Sequence, residues 1–198
     1  MRRRLDQLIT GLAVLIWVVW AGYAGWTAWQ IGSIISLLAA IQAGLIAAFL
    51  ILRNPARKQG DGSGEPPWPQ KIFAWAVTLS PALFVVRREN AAADVVTTAG
   101  LFLALWALVT LGRSFGIAPA DRGLVSTGPY RFVRHPMYLG QFISVVGIAS
   151  ADFSIWNGLV LVLIAASAVI RILWEERALA GYSEYVGQVR WRLIPGLW

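Results

Sequence analysis

Six apolar runs dominate the chain, and their lengths leave few folds open. Residues 8–29 and 34–52 each approach the ~20 residues that a helix needs to cross the hydrocarbon of a bilayer. Residues 95–111 and 153–174 form two more long runs, while 72–86 and 138–151 are shorter. A helix satisfies its own backbone in lipid, so this pattern predicts an all-α polytopic integral membrane protein with about six transmembrane helices. The composition agrees: 58% of residues are hydrophobic and mean hydropathy is +0.62. Eleven tryptophans fit the same picture, because indole collects at bilayer interfaces.

The breaks between runs divide the chain. Residues 30–33, with Gly32, make a tight turn between the first two helices, giving an N-terminal transmembrane hairpin over 1–52. Within it, Ala21 and Gly25, and Ala43 and Ala47, are small residues four apart that let helices approach closely. Residues 53–71 are rich in Gly, Pro and polar side chains and read as a cytoplasmic linker that cannot fold by itself. Residues 72–198 form the remaining unit. Its first run holds Pro81, a kink site, and ends at Arg87-Arg88-Glu89-Asn90. Asp152 separates the last two runs as a turn or N-cap. The tail from Glu175 to Trp198 reads as an interfacial amphipathic helix. Arg2-Arg3-Arg4 precedes an apolar run too long for a signal-peptide core, so no cleaved leader is expected.

Charge sets an expected orientation. If the N-terminus is inside, fifteen Lys and Arg residues fall on one side and only Arg87 and Arg88 on the other. The positive-inside rule then places both termini in the cytoplasm. The same distribution argues against a nucleic-acid partner: the basic residues sit at the ends of apolar runs and not on one polar face. With no cysteine and one histidine, a thiolate nucleophile, a disulfide and a His-rich metal site are all excluded.

One stretch, residues 127–140, differs from everything around it. It gathers two arginines, the lone His135, Pro129, Pro136, Tyr130, Tyr138, Gly128 and Gly140. His135 precedes a proline and is pushed out of helical geometry, while Pro136 suits the first position of a new helix. Polar irregular backbone beside a bilayer must be satisfied by protein or water, which makes the stretch a candidate pocket wall. Imidazole titrates near neutrality, but the sequence shows no partner for His135, and a hydrogen-bonded structural role is the plainer expectation. At the end of the sixth run, Arg171 and Glu175 are four apart and share a helical face. Charges there mark either an ion pair with snorkelling side chains or a site.

These two segments together resemble the isoprenylcysteine carboxyl methyltransferase family, which is related to the membrane phospholipid N-methyltransferases. The resemblance lies in Gly-Pro-Tyr-Arg-Phe-Val-Arg-His-Pro-Met-Tyr-Leu-Gly over 128–140, then Arg171-x3-Glu175-Glu176-x2-Leu179, Tyr182, Tyr185 and Ile194-Pro195. It covers roughly residues 112–195 and leaves the N-terminal hairpin without a motif. It implies S-adenosyl-L-methionine as methyl donor, in a cytoplasmic cofactor pocket beside a C-terminal helical hairpin. Carried over residue by residue, cofactor-binding positions fall on Gly123, Leu124, Val125, Tyr130, His135, Pro136, Met137, Tyr138, Glu175 and Glu176. Arg171 matches the arginine that meets the substrate carboxylate, and with Glu175 it would be catalytic. One position departs: eukaryotic members have a histidine just before the Gly123 position, and here Arg122 stands there. No metal is implied, since methyl transfer from a sulfonium is an in-line displacement governed by alignment. The expected acceptor is a carboxylate on a prenylated or similarly apolar lipid. Phospholipid N-methylation, or a non-catalytic protein that keeps the fold, is the alternative. The compact, loop-poor chain suggests a bacterial or archaeal cell membrane.

Overall fold

A computed structural model describes residues 2–52, 67–79, 83–85, 90–117 and 120–198. Seven α-helices and two short 3-10 turns account for the regular structure among them. They are α1 (Arg2–Ile31), α2 (Ile34–Leu52), α3 (Trp68–Leu79), α4 (Ala91–Leu111), α5 (Pro136–Ala151), α6 (Ile155–Ala178) and α7 (Tyr182–Gln188). The chain is therefore a helical integral membrane protein. Four stretches are long and apolar enough to cross a bilayer: Leu8–Ile31, Ile34–Leu52, Ala91–Ser114 and Ile155–Ala178. The two runs expected to be short are short, with 12 residues in α3 and 16 in α5.

Local chemistry sets the helix limits. Gly32, at φ +66°, turns the chain between α1 and α2. Asn90 caps α4 by accepting from the backbone N–H groups of Ala92 and Ala93. Ser154, not Asp152, caps α6, accepting from Asn157 N at 3.1 Å; Asp152 lies in the turn after α5. Of the linker expected over residues 53–71, residues 53–66 lie outside the described residues, as do Pro81 and the pair Arg87 and Arg88, while residues 68–71 are helical and begin α3.

The tightest helix crossing is α4 against α5. A Cβ built on Gly140 would stand 2.4 Å from Ala104 N, and one on Gly100 would stand 2.3 Å from Ser144 N. Gly147 repeats the contact one heptad on, 2.6 Å from Thr97 N. Only glycine admits this approach, and in lipid such close backbone contact replaces the hydrophobic effect as the cause of helix association. The small residues singled out in the first hairpin pack more ordinarily: Ala43 and Ala47 are buried, and a Cβ on Gly25 meets Ala40 at 3.9 Å. Large side chains such as Trp26, Phe102 and Val162 face outward, as lipid-facing residues should.

The third segment runs beside α6. Phe73 meets Trp174 edge to face with ring centroids 5.2 Å apart. At the other end, the fully buried Asn157 exchanges hydrogen bonds with both N and O of Val85 and also donates to Asp152 O, while the Trp156 indole donates to Leu83 O. Non-helical backbone inside a membrane protein needs such side-chain partners. Opposite Asn157, the C-terminal ends of α2, α4 and α6 meet the start of α5, with Arg113 Nε donating to Leu52 O at 2.8 Å.

Substituting Gly140→Ala forces α4 and α5 apart and should cost about 1–3 kcal/mol. Gly44→Ala adds a Cβ with nothing within 4 Å and serves as the control. Thermal unfolding in detergent should show a lower midpoint for the first and none for the second.

Candidate functional site at the end of the bundle

The polar connection between α4 and α5 folds back across the bundle end. Gly112 (φ +49°) starts it, and Phe115 and Ile117 then bury themselves against Leu108, Tyr130 and Met137. Gly123, at φ +103°, donates its N–H to Asp121 Oδ1 at 3.0 Å. Arg122 is 4% exposed and packs onto Gly116, where a Cβ would stand 2.7 Å from its Nη1. Gly128–Arg131 forms a 3-10 turn that buries Tyr130, and Tyr185 fixes that turn by donating its hydroxyl to Tyr130 O.

His135 sits on non-helical backbone immediately before α5, as its proline neighbour requires. Its N–H donates to Arg192 O at 2.9 Å, and Arg134 N donates to Trp191 O at 2.8 Å. The Arg134 side chain extends the same seam, donating to Val189 O and Arg190 O. The tail is therefore not one amphipathic helix. It breaks at Gly181 (φ +73°), makes the seven-residue α7, then runs extended against residues 134–135. The reason is the backbone pairing with a segment nearly sixty residues away, which helical periodicity does not reveal.

Glu176 is the junction. Arg192 reaches it through Nε at 2.9 Å and Nη2 at 3.0 Å, Arg134 Nη1 at 3.3 Å, Tyr182 OH at 2.6 Å and His135 Nε2 at 3.2 Å. Its neighbour Glu175 has a different setting: it accepts from the Tyr138 hydroxyl, and its Oε2 lies 3.9 Å from His135 Nδ1. Arg171 is 7% exposed, donates from Nη2 to Ile117 O at 2.8 Å, and lies over the Tyr138 ring at 5.2 Å.

These groups line a cleft that is partly open to solvent. Of the residues expected at a cofactor, Gly123, Leu124, Val125, Tyr130, His135, Met137, Tyr138 and Glu175 line it, and so does Arg171. Pro136 and Glu176 do not. Pro136 is fully buried at the start of α5, and the Glu176 carboxylate is occupied by the four side chains above. Glu175 is the only carboxylate on the cleft wall among the described residues. Four of the chain's five tyrosines line it too. Burial, and for Tyr182 the bond to Glu176 as well, raises the phenol pKa of Tyr130 and Tyr182, and burial pushes Tyr185 up to about 12. All three remain neutral hydrogen-bond donors.

The sequence assigned no site role to Arg134, Arg192, Ser114, Phe115 or Gly116. Tyr182 and Tyr185, three apart, carry a helical-face signal; Arg192 carries none. Arg192→Gln should loosen the tail without unfolding the helices. Trypsin is expected to cut after Arg190 about tenfold faster, the equivalent of ~1.4 kcal/mol of local opening, with the helical circular dichroism unchanged.

A family model described as phospholipid methyltransferase matches residues 89–183. That window runs from the start of α4 through Glu175 and Glu176 to α7, and it supports the broader membrane methyltransferase family. No curated protein and no solved structure matches the chain.

Proposed function

We propose that the protein transfers a methyl group from S-adenosyl-L-methionine to the polar head of a membrane lipid, at the cleft formed by residues 114–116, residues 120–138 and the end of α6. The observation that carries this reading is the juxtaposition of Glu175 and the Tyr130–Tyr138 segment in one hollow at a bundle end. The residues present suit a cationic donor. Glu175, held by Tyr138, offers a carboxylate to its ammonium, and the cleft tyrosines offer aromatic faces to positive charge. The donor supplies a methyl group activated on a sulfonium; the chain's part is to orient the partners and exclude water. By the arginine bias we place this end of the bundle at the cytoplasmic face, where the donor is soluble and lipid enters from the side.

Two acceptor heads have support. A carboxylate on an apolar or prenylated lipid is favoured by Arg171, whose guanidinium on the cleft wall suits a charge-assisted hydrogen bond. An amine of a phospholipid is favoured by the family whose model matches. Product chemistry separates them, because a methyl ester is base-labile and an N-methyl group is not.

Titration calorimetry on the detergent-solubilised protein tests the donor. S-adenosyl-L-methionine should bind the wild type, and Glu175→Gln should weaken it at least about tenfold, the worth of one charged hydrogen bond. A wild type that binds no donor would sink the reading.

A further inference from the structure

We propose that the exposed arginines Arg131 and Arg190, neither of which lines the cleft, form a site for the phosphate of an anionic phospholipid that is held at the surface and takes no part in the chemistry. Both flank one seam. Arg134 N donates to Trp191 O, and the Arg134 side chain donates to Arg190 O. Arg131 ends the 3-10 turn in which Tyr130 O is held by the Tyr185 hydroxyl.

Other arginines at this end of the bundle are occupied. Arg134 and Arg192 are spent on Glu176, and Arg113 donates to Leu52 O. Arg131 and Arg190 differ: among the described residues neither has a carboxylate partner or donates a side-chain hydrogen bond. Each lies instead over the ring of the residue that follows it, 5.4 Å from the Phe132 centroid and 4.9 Å from that of Trp191. A guanidinium that rests its face on a ring keeps its edge N–H groups, and that fork matches two oxygens of a phosphate. Glu184, exposed on α7, is paired with neither arginine, so no acid of that helix competes.

The surroundings select a lipid over a soluble anion. Phe132, the ring under Arg131, is 61% exposed. Leu197 is 76% and Ile194 40% exposed, in the turn where Trp198 folds back to lie under Arg192. Apolar side chains beside open cations, at the end of helices that cross the bilayer, match the level where acyl chains give way to phosphate. A zwitterionic head offers the same phosphate but screens it with its own cation. A head of net negative charge, such as phosphatidylglycerol, does not. A phosphate gripped by both arginines would bridge the turn and the tail from outside the cleft, across the seam that Glu176 holds from within.

Native mass spectrometry of the delipidated full chain in detergent tests this, with phosphatidylglycerol, phosphatidylcholine and glycerol 3-phosphate as probes. The wild type should bind phosphatidylglycerol more tightly than phosphatidylcholine. Arg131→Gln and Arg190→Gln should each weaken phosphatidylglycerol about fivefold, the weight of one basic residue at an anionic surface. Their combination should weaken it about 25-fold. Arg177→Gln removes the same charge from an exposed position in the last turn of α6 and should leave the affinity as it is. Helical circular dichroism should match the wild type in every variant, since none of the three side chains holds a helix in place. Equal weakening by Arg177→Gln would mean a diffuse field and no site. Equal binding of phosphatidylcholine would remove the preference for net charge. Displacement of the lipid by an equal concentration of glycerol 3-phosphate would mean a site for soluble anions. Any one of these three results overturns the proposal, and none of them bears on whether the cleft binds a methyl donor.

Discussion

The carboxylate of Glu176 is the interaction on which the rest of the site depends. An ionised carboxyl at the end of an apolar helix is costly unless it is paired and fully hydrogen-bonded. Here the side chain is about 10% exposed, and four others converge on it. Those four come from three separate segments: residues 134–135, α7 and the extended tail. Satisfying one buried charge thus fixes where the arginine–histidine–proline turn, Tyr182 and the chain end sit relative to α6. Two adjacent acids in sequence acquire opposite duties for this reason. Glu176 faces its clasp, and Glu175 faces the hollow.

The helices beneath supply the rigidity that such a junction needs. Hydrocarbon gives no hydrophobic drive for one helix to bind another, so contact depends on how closely backbones can approach. Gly100, Gly140 and Gly147 bring α4 and α5 to distances at which any Cβ would collide with main-chain atoms. Gly140 lies in the same sequence motif as His135 and Tyr138, one turn or so further along α5. The motif thus combines cleft residues at its start with a packing residue at its end, and the packing fixes the direction in which α5 presents Tyr138.

The electrostatic balance of the cleft bears on its chemistry. Arg134 is matched by Glu176, and Arg122, Arg171 and Glu175 also stand on the wall, with phenols between them. Arg171 is bound to Ile117 O and stacked on Tyr138, so it also holds the folded-back loop. That second duty stands beside the role the resemblance implies for it, meeting a substrate carboxylate.

The sequence by itself determined the helical membrane class, the turn at Gly32, the break before Pro136 and nine of the nineteen residues that line the cleft. Each follows from rules that act over a few positions: apolar run length, proline sterics, and a short motif with its resemblance. It also placed Arg171 and Glu175 on one helical face, because 3.6 residues per turn is a local fact. Tertiary structure alone decided that Glu176 turns away from the cleft, that the tail abandons the helix to pair with residues 134–135, and that His135 has a partner. Those outcomes depend on side chains from 6 to 42 positions away in the chain converging on one charge. No local periodicity encodes such a meeting, since it exists only once α5 and α6 are packed.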